Sequence, residues 1–195
     1  MIGIAYGMEN GSPLEGKLEN VQYFHDKGIR YITLTHSLSN HISDSSYDEN
    51  KQWGGLSPFG QALIEEMNKV GMMIDVSHVS DDAFYQTIDL SRAPVIASHS
   101  SLRHFTPGWE RNMSDEMVKT IAKNGGVVQI NFGSNFLIND NKAKDDSEEY
   151  IFADVVDVVD HIDRVVSLTS IRHVGIGSDY DGVGDTLPTL SLIHI

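Results

Sequence analysis

The chain has 195 residues, 40% hydrophobic and 22% charged, an ordinary balance for a globular domain with one buried core. Lys and Arg number 14 against 28 Asp and Glu, a net charge of −14, which repels phosphate backbones and argues against a nucleic-acid partner. The absence of cysteine excludes thiolate metal sites, cysteine nucleophiles and disulfides, leaving His, Asp and Glu as possible metal ligands, and no apolar run approaches the ~20 residues of a transmembrane segment.

In chain order, one step repeats: a short apolar run, a polar turn, then a longer amphipathic stretch. Strands are expected at Ile2–Met8, Tyr31–Leu34, Met72–Val76, Pro94–Ala97, Val127–Asn131 and Val174–Gly177. Their nearly continuous hydrophobicity suits strands covered on both faces. Apolar residues at three- and four-residue spacing predict helices at Leu14–Lys27, Pro58–Val70, Asp81–Leu90, Ser114–Lys123 and Ser147–Leu168. Cap chemistry brackets several of them. Ser57-Pro58 opens one and Gly71 closes it, Ser80-Asp81-Asp82 opens the next, and Gly28 ends the first.

Strict alternation of strand and helix admits an open doubly wound sheet or a closed barrel. Glu9-Asn10-Gly11-Ser12-Pro13 follows the first strand, where a dinucleotide fold would carry a glycine-rich phosphate loop. A barrel gathers its chemistry at the C-terminal ends of its strands, and there the sequence repeatedly places an ionisable residue. The expected fold is therefore an α/β, incomplete TIM-type (β/α)8 barrel over residues 1–189, with about six strands present.

Glu9 closes the first strand, His36 the second, His78 the third, His99 the fourth and Asp179 the sixth. A lone polar residue at a strand end is ordinarily a turn former, but parallel strands bring such ends to one rim. His78 and His99 sit in echoing contexts, Ser77-His78-Val79-Ser80 and Ser98-His99-Ser100-Ser101. Neutral imidazoles on adjacent strands suit Zn²⁺, and a carboxylate such as Glu9 has two oxygens with which to bridge two ions. The pair His161-Ile162-Asp163 lies in a helix, where its two polar side chains point about 200° apart, and is expected on a solvated face. His25, His41, His104 and His173 are read as surface or loop residues. Arg111, in Arg111-Asn112, offers either a planar fork for a substrate carboxylate or a surface salt bridge.

Taken together, Met8-Glu9-Asn10-Gly11, Gly28-Ile29-Arg30-Tyr31-Ile32-Thr33-Leu34-Thr35-His36, Asp75-Val76-Ser77-His78-Val79-Ser80, Pro94-Val95-Ile96-Ala97-Ser98-His99-Ser100-Ser101, Arg111-Asn112 and Gly175-Ile176-Gly177-Ser178-Asp179-Tyr180-Asp181-Gly182 resemble the membrane (renal) dipeptidases of peptidase family M19. The resemblance covers nearly the whole chain. It implies an amidohydrolase-like barrel with two zinc ions bridged by a glutamate, hydrolysing small dipeptides. By that resemblance Glu9 is the bridge, His78 and His99 are zinc ligands, His36 stabilises the oxygen of the scissile carbonyl, and Arg111 receives the substrate carboxylate. Asp179 holds the substrate amine and shuttles the proton, with Asp181 as its nearby rival.

The same resemblance numbers the strands as the family's third to eighth and places the His-x-Asp of its first metal motif before Met1. The chain itself is then expected to be an inactive piece of a barrel, lacking a C-terminal segment as well. The family implies an export route and a possible homodimer, while localisation stays open. Leu190–Ile195 departs from the family pattern and reads as a translated sequencing-adapter end, so His194 is left out of every site. Two other readings compete: an amidohydrolase for a different amide or lactam, and a catalytically silent metal-binding or interaction protein.

Overall fold

The computed structural model describes residues 4–139 and 151–183. Residues 1–3 with the start of the expected first strand, 147–150 of the expected last helix and the expected tail Leu190–Ile195 lie outside the described residues. Six strands occur among those described: β1 (Tyr6–Glu9), β2 (Ile29–Thr33), β3 (Met73–Asp75), β4 (Ile96–Ala97), β5 (Val127–Ile130) and β6 (Val174–Ile176), ordered as in the sequence. They alternate with α1 (Glu19–Asp26), α2 (Pro58–Val70), α3 (Asp81–Leu90), α4 (Asp115–Lys123), α5 (Ser134–Leu137) and α6 (Val155–Leu168). The strand pairs whose register is described are parallel, as crossover through helices requires. No described helix is long and apolar enough to cross a membrane. The chain divides into two compact units, Met1–Ile96 with Asn124–Gly126, and Ala97–Lys123 with Val127–Ile195.

In the first unit, Glu9 of β1 pairs with Thr33 of β2, Thr33 with Asp75 of β3, and Asp75 with Ile96 of β4. This row sets the strand ends level, so residues just beyond it emerge together. Beneath them Ile32, Leu34, Leu63, Ile64, Met67, Ile74 and Phe84 are buried. Helix α2 runs over the expected span because its signals are local: Ser57 accepts the Gly60 N–H at 2.9 Å, Pro58 takes the first turn, and Gly71 ends the helix at φ 83°. Ser80 likewise caps α3, with Asp81 and Asp82 against the positive end of its dipole. The first helix is shorter than expected. Glu15 and Gly16 adopt positive φ, 54° and 69°, which stops a 3-10 turn at Ser12–Leu14 and delays α1 to Glu19.

In the second unit, Val128, Gln129 and Ile130 of β5 pair with Val174, Gly175 and Ile176 of β6. Leu102, Val118, Ile121, Val128, Ile130 and Val165 form its buried interior. Helix α6 starts at Val155, later than the expected Ser147, because Asp154 and Asp157 close a reciprocal capping box there. Arg164 of α6 pairs with Asp115 of α4. The four-residue α5 was not expected; one turn is too short to display an apolar period.

Candidate metal centre

In the first unit the structure brings Glu9, His36 and His78 together. Glu9 ends β1, while His36 and His78 each stand three residues beyond the row that pairs Thr33 with Asp75. Glu9 Oε1 lies 3.1 Å from His78 Nε2 and 3.4 Å from His36 Nε2, and the two rings stack at 4.3 Å and 27°. One ligand atom from each residue falls within 4.8 Å of the others. Two imidazole lone pairs aimed at one carboxylate oxygen repel it unless a proton or a metal cation lies among them. Two nitrogens and a carboxylate oxygen, half open to solvent, are also a donor set that suits zinc. The residues therefore fit a metal.

His78 is held firmly. Its backbone turns into the left-handed region at φ 70°, a conformation costing about 1–2 kcal/mol for a residue with a side chain. Buried Asp75 sustains the turn: one carboxylate oxygen accepts the Ser77 N–H at 3.0 Å, and the other accepts the Thr33 hydroxyl at 2.6 Å. The loop after His36 closes over the same residue, with Ser46 N–H donating to the His78 carbonyl at 2.8 Å and the Tyr47 ring 5.9 Å from the imidazole. Buried Asp44 anchors that loop by accepting the N–H groups of Gln52, Trp53 and Gly55.

The remaining expected site residues lie in the second unit. His99 is 8% exposed, with Nδ1 2.7 Å from the Ser98 hydroxyl. The same device recurs in the first unit, where Ser37 Oγ lies 2.9 Å from His36 Nδ1. A serine hydroxyl both donates and accepts, so each pair can fix the tautomer its ring requires. Of the two readings of Arg111, a surface salt bridge does not describe it. The side chain is 3% exposed, donates to Ser100 Oγ and to the His99 carbonyl, both at 2.8 Å, and packs its guanidinium 5.0 Å over Phe136. Asn112 secures the same loop, donating to Thr106 Oγ1 and the Phe136 carbonyl while accepting the Ser101 N–H. Asp179 adopts φ 57° and accepts from Asn131 Nδ2 at 2.8 Å, whereas Asp181 is exposed.

The expectation for His161 is corrected. It is fully buried, in line with Val158 and Val165 on α6. Its Nδ1 accepts the Leu102 N–H at 3.1 Å, so its Nε2 carries the proton and donates to the Leu137 carbonyl at 3.0 Å. The spacing Val158–His161–Val165 was the available signal; it makes His161 an i+3 and i−4 neighbour of buried positions. Burial pushes the imidazole down from 6.5 to about 4, only partly opposed by the Leu137 carbonyl. A folded-state value below the unfolded one stabilises the fold above about 6.5, and that contribution is lost as pH falls through about 4. Its size is about 3 kcal/mol. Urea midpoints measured from neutral pH to pH ~4 should therefore fall steeply, and His161→Gln should flatten the fall. Parallel falls in both proteins would refute the assignment.

The other residues the sequence reading passed over are Asp75, Asp44 and Asn131. Asp75 carried a signal, a charge inside an apolar strand; Asp44 and Asn131 carried none at short range.

The pattern of the family described as membrane dipeptidase (peptidase family M19) matches residues 1–191. An uncharacterized dipeptidase of Schizosaccharomyces pombe is 39% identical over 184 residues, 93% of this chain and 42% of that relative. The probable dipeptidase PvdM from Pseudomonas aeruginosa superposes with TM-score 0.84 at 28% identity, over 93% of this chain and 58% of that one. A metallo peptidase from Rhodobacter sphaeroides, liganded with a phosphinate mimic of the dipeptide L-Ala-D-Ala, gives TM-score 0.79 at 27% identity, over 94% and 51% of the two chains. The chain spans about two fifths of the length of the curated relatives it matches. Six parallel strands with these structural relatives make the fold an incomplete (β/α)8 barrel, and the chain belongs to the membrane dipeptidase family, peptidase family M19.

Proposed function

We propose that the protein is a zinc-dependent dipeptidase. The observation that carries this reading is the grouping of Glu9, His36 and His78 around a space that calls for a cation. The relative liganded with a dipeptide mimic supports dipeptides as the substrate class. Glu9 and His78 would hold the metal, with His99 as a further ligand. When bound, zinc supplies Lewis acidity and makes water a nucleophile at neutral pH.

The chain's own residues do the rest. Arg111 receives the substrate carboxylate on a guanidinium whose plane is fixed by Ser100 and His99. His36, with Nδ1 2.9 Å from the Ser37 hydroxyl and Nε2 3.4 Å from Glu9 Oε1, stabilises the oxygen that gains charge as water adds to the scissile carbonyl. Asp179 holds the substrate amine, takes the proton released by the attacking water and returns it to the departing nitrogen. The carbon–oxygen bond forms, the carbon–nitrogen bond breaks, and two amino acids leave.

The test uses the protein expressed from its natural gene. We expect bound zinc, hydrolysis of free dipeptides, loss of turnover on chelation and recovery when zinc is returned. Turnover of lactams or other amides with dipeptides untouched would establish a different amidohydrolase. Absence of both zinc and turnover would establish a silent binding protein.

A further inference from the structure

We infer that Asn131, at the end of β5, is a positioning residue for Asp179: its side-chain amide holds one carboxylate oxygen and so fixes the rotamer of the acid. The inference rests on the reading of Asp179 as the group that handles the proton. The fifth strand is the one strand whose end carries no ionisable residue in the sequence, and its last expected residue is this asparagine.

Asn131 is fully buried. Its Oδ1 accepts the Gly133 N–H at 2.6 Å, which settles the orientation of the amide, since a donor cannot face a donor. Its Nδ2 is thereby turned to Asp179 Oδ2, 2.8 Å away. The Asn131 carbonyl accepts the Ser101 hydroxyl at 3.2 Å, so the residue is anchored through main chain and side chain alike. On the other side, Asp179 is held at φ 57°, with its carbonyl accepting the N–H groups of Gly182 at 2.9 Å and Val183 at 3.1 Å. A Cβ at Gly182 would run into the Asp179 carboxylate, so the loop leaves that side chain little room to choose another rotamer. A neutral buried donor does two things for a carboxylate: it fixes the torsion, and it favours the charged form without adding a second titrating group. Asp181, by contrast, is exposed.

Two variants of the complete, zinc-loaded enzyme test this. Asn131→Asp is nearly isosteric and keeps an acceptor for Gly133, but sets a second carboxylate against Asp179, so the pair shares a proton. We expect kcat to fall at least about tenfold, KM to change less than about threefold, and the acidic limb of the kcat profile to move up by about one pH unit. Asn131→Ala removes the donor without adding charge; it should lower kcat about tenfold with an upward limb shift smaller than that of Asn131→Asp. Zinc content should stay at the wild-type level in both. Wild-type kcat and an unmoved limb in whichever variant folds would overturn the role of Asn131, as would a loss confined to KM. Asp179→Asn distinguishes this from failure of the underlying reading. If that variant is inactive while the Asn131 variants are normal, only the positioning role is wrong. If Asp179→Asn turns over normally, the reading of Asp179 fails and the positioning role falls with it.

Discussion

Glu9→Gln in the complete protein should lower kcat about a thousandfold, close to 4 kcal/mol in the barrier, and reduce bound zinc. The substitution preserves shape and removes charge. Glu9 Oε1 is the atom that both imidazole nitrogens face, at 3.1 Å and 3.4 Å, so a neutral amide there either turns an N–H toward the metal or offers a much weaker oxygen donor. Stability should hardly change, because the Glu9 side chain is 43% exposed and substitutions at such positions usually stay within about 0.5 kcal/mol. Turnover and metal analysis on one preparation, with a thermal melt as control, separate loss of the site from loss of the fold. Wild-type zinc content with wild-type kcat would remove Glu9 from the metal centre.

The second large effect is expected at Arg111. Arg111→Ala should reduce kcat/KM for free dipeptides by about two to three orders of magnitude, corresponding to roughly 3–4 kcal/mol for a buried charge-assisted contact. The discriminating substrate is the same dipeptide with its terminal carboxyl converted to an amide. It lacks the anion, so the variant should treat it much as the wild type does. Lysine should restore little. A single ammonium cannot keep the planar arrangement by which the guanidinium meets Ser100 Oγ and the His99 carbonyl while stacking on Phe136. Some loss of stability should accompany Arg111→Ala because those acceptors are buried. The amide-to-acid preference is therefore the informative quantity, and an unchanged preference would show that the substrate carboxylate is bound elsewhere.

The two variants probe different parts of the chemistry. Glu9 bears on the charge that activates water, and Arg111 on the placement of substrate. In the first case the loss should appear in kcat for every substrate; in the second it should depend on whether the substrate carries a free carboxylate.

Much of the fold is legible in the sequence because the relevant physics is short-range. The alternation of apolar runs with three- and four-residue periodicity depends on residues within one turn or one strand. Caps act over the same distance, which is why α2 and α3 occupy the expected spans, opened by Ser57 and Ser80. The ionisable residues at five strand ends were equally visible, since a strand end is a local event. Glu9, His36 and His78 could be named from position along the chain. That Glu9 Oε1 would face both rings depended on the parallel register that aligns Glu9, Thr33 and Asp75.

Other features required distant parts of the chain. The spacing of His161 from Val158 and Val165 hints at burial, but what makes that burial tolerable is remote: its partners, Leu102 and Leu137, stand 59 and 24 residues away. Asn131 resembled an ordinary strand terminator until Asp179, 48 residues later, was seen against its amide. Arg111 could equally have been a surface charge until the loop bearing it packed on Phe136 and the His99 strand end. The succession of strands and helices, and the acids and histidines beside them, was thus written in local sequence. Which of those polar groups are buried, paired and aimed was decided only on folding, because a buried polar group persists where a complementary donor or acceptor meets it, and here those partners come from remote segments.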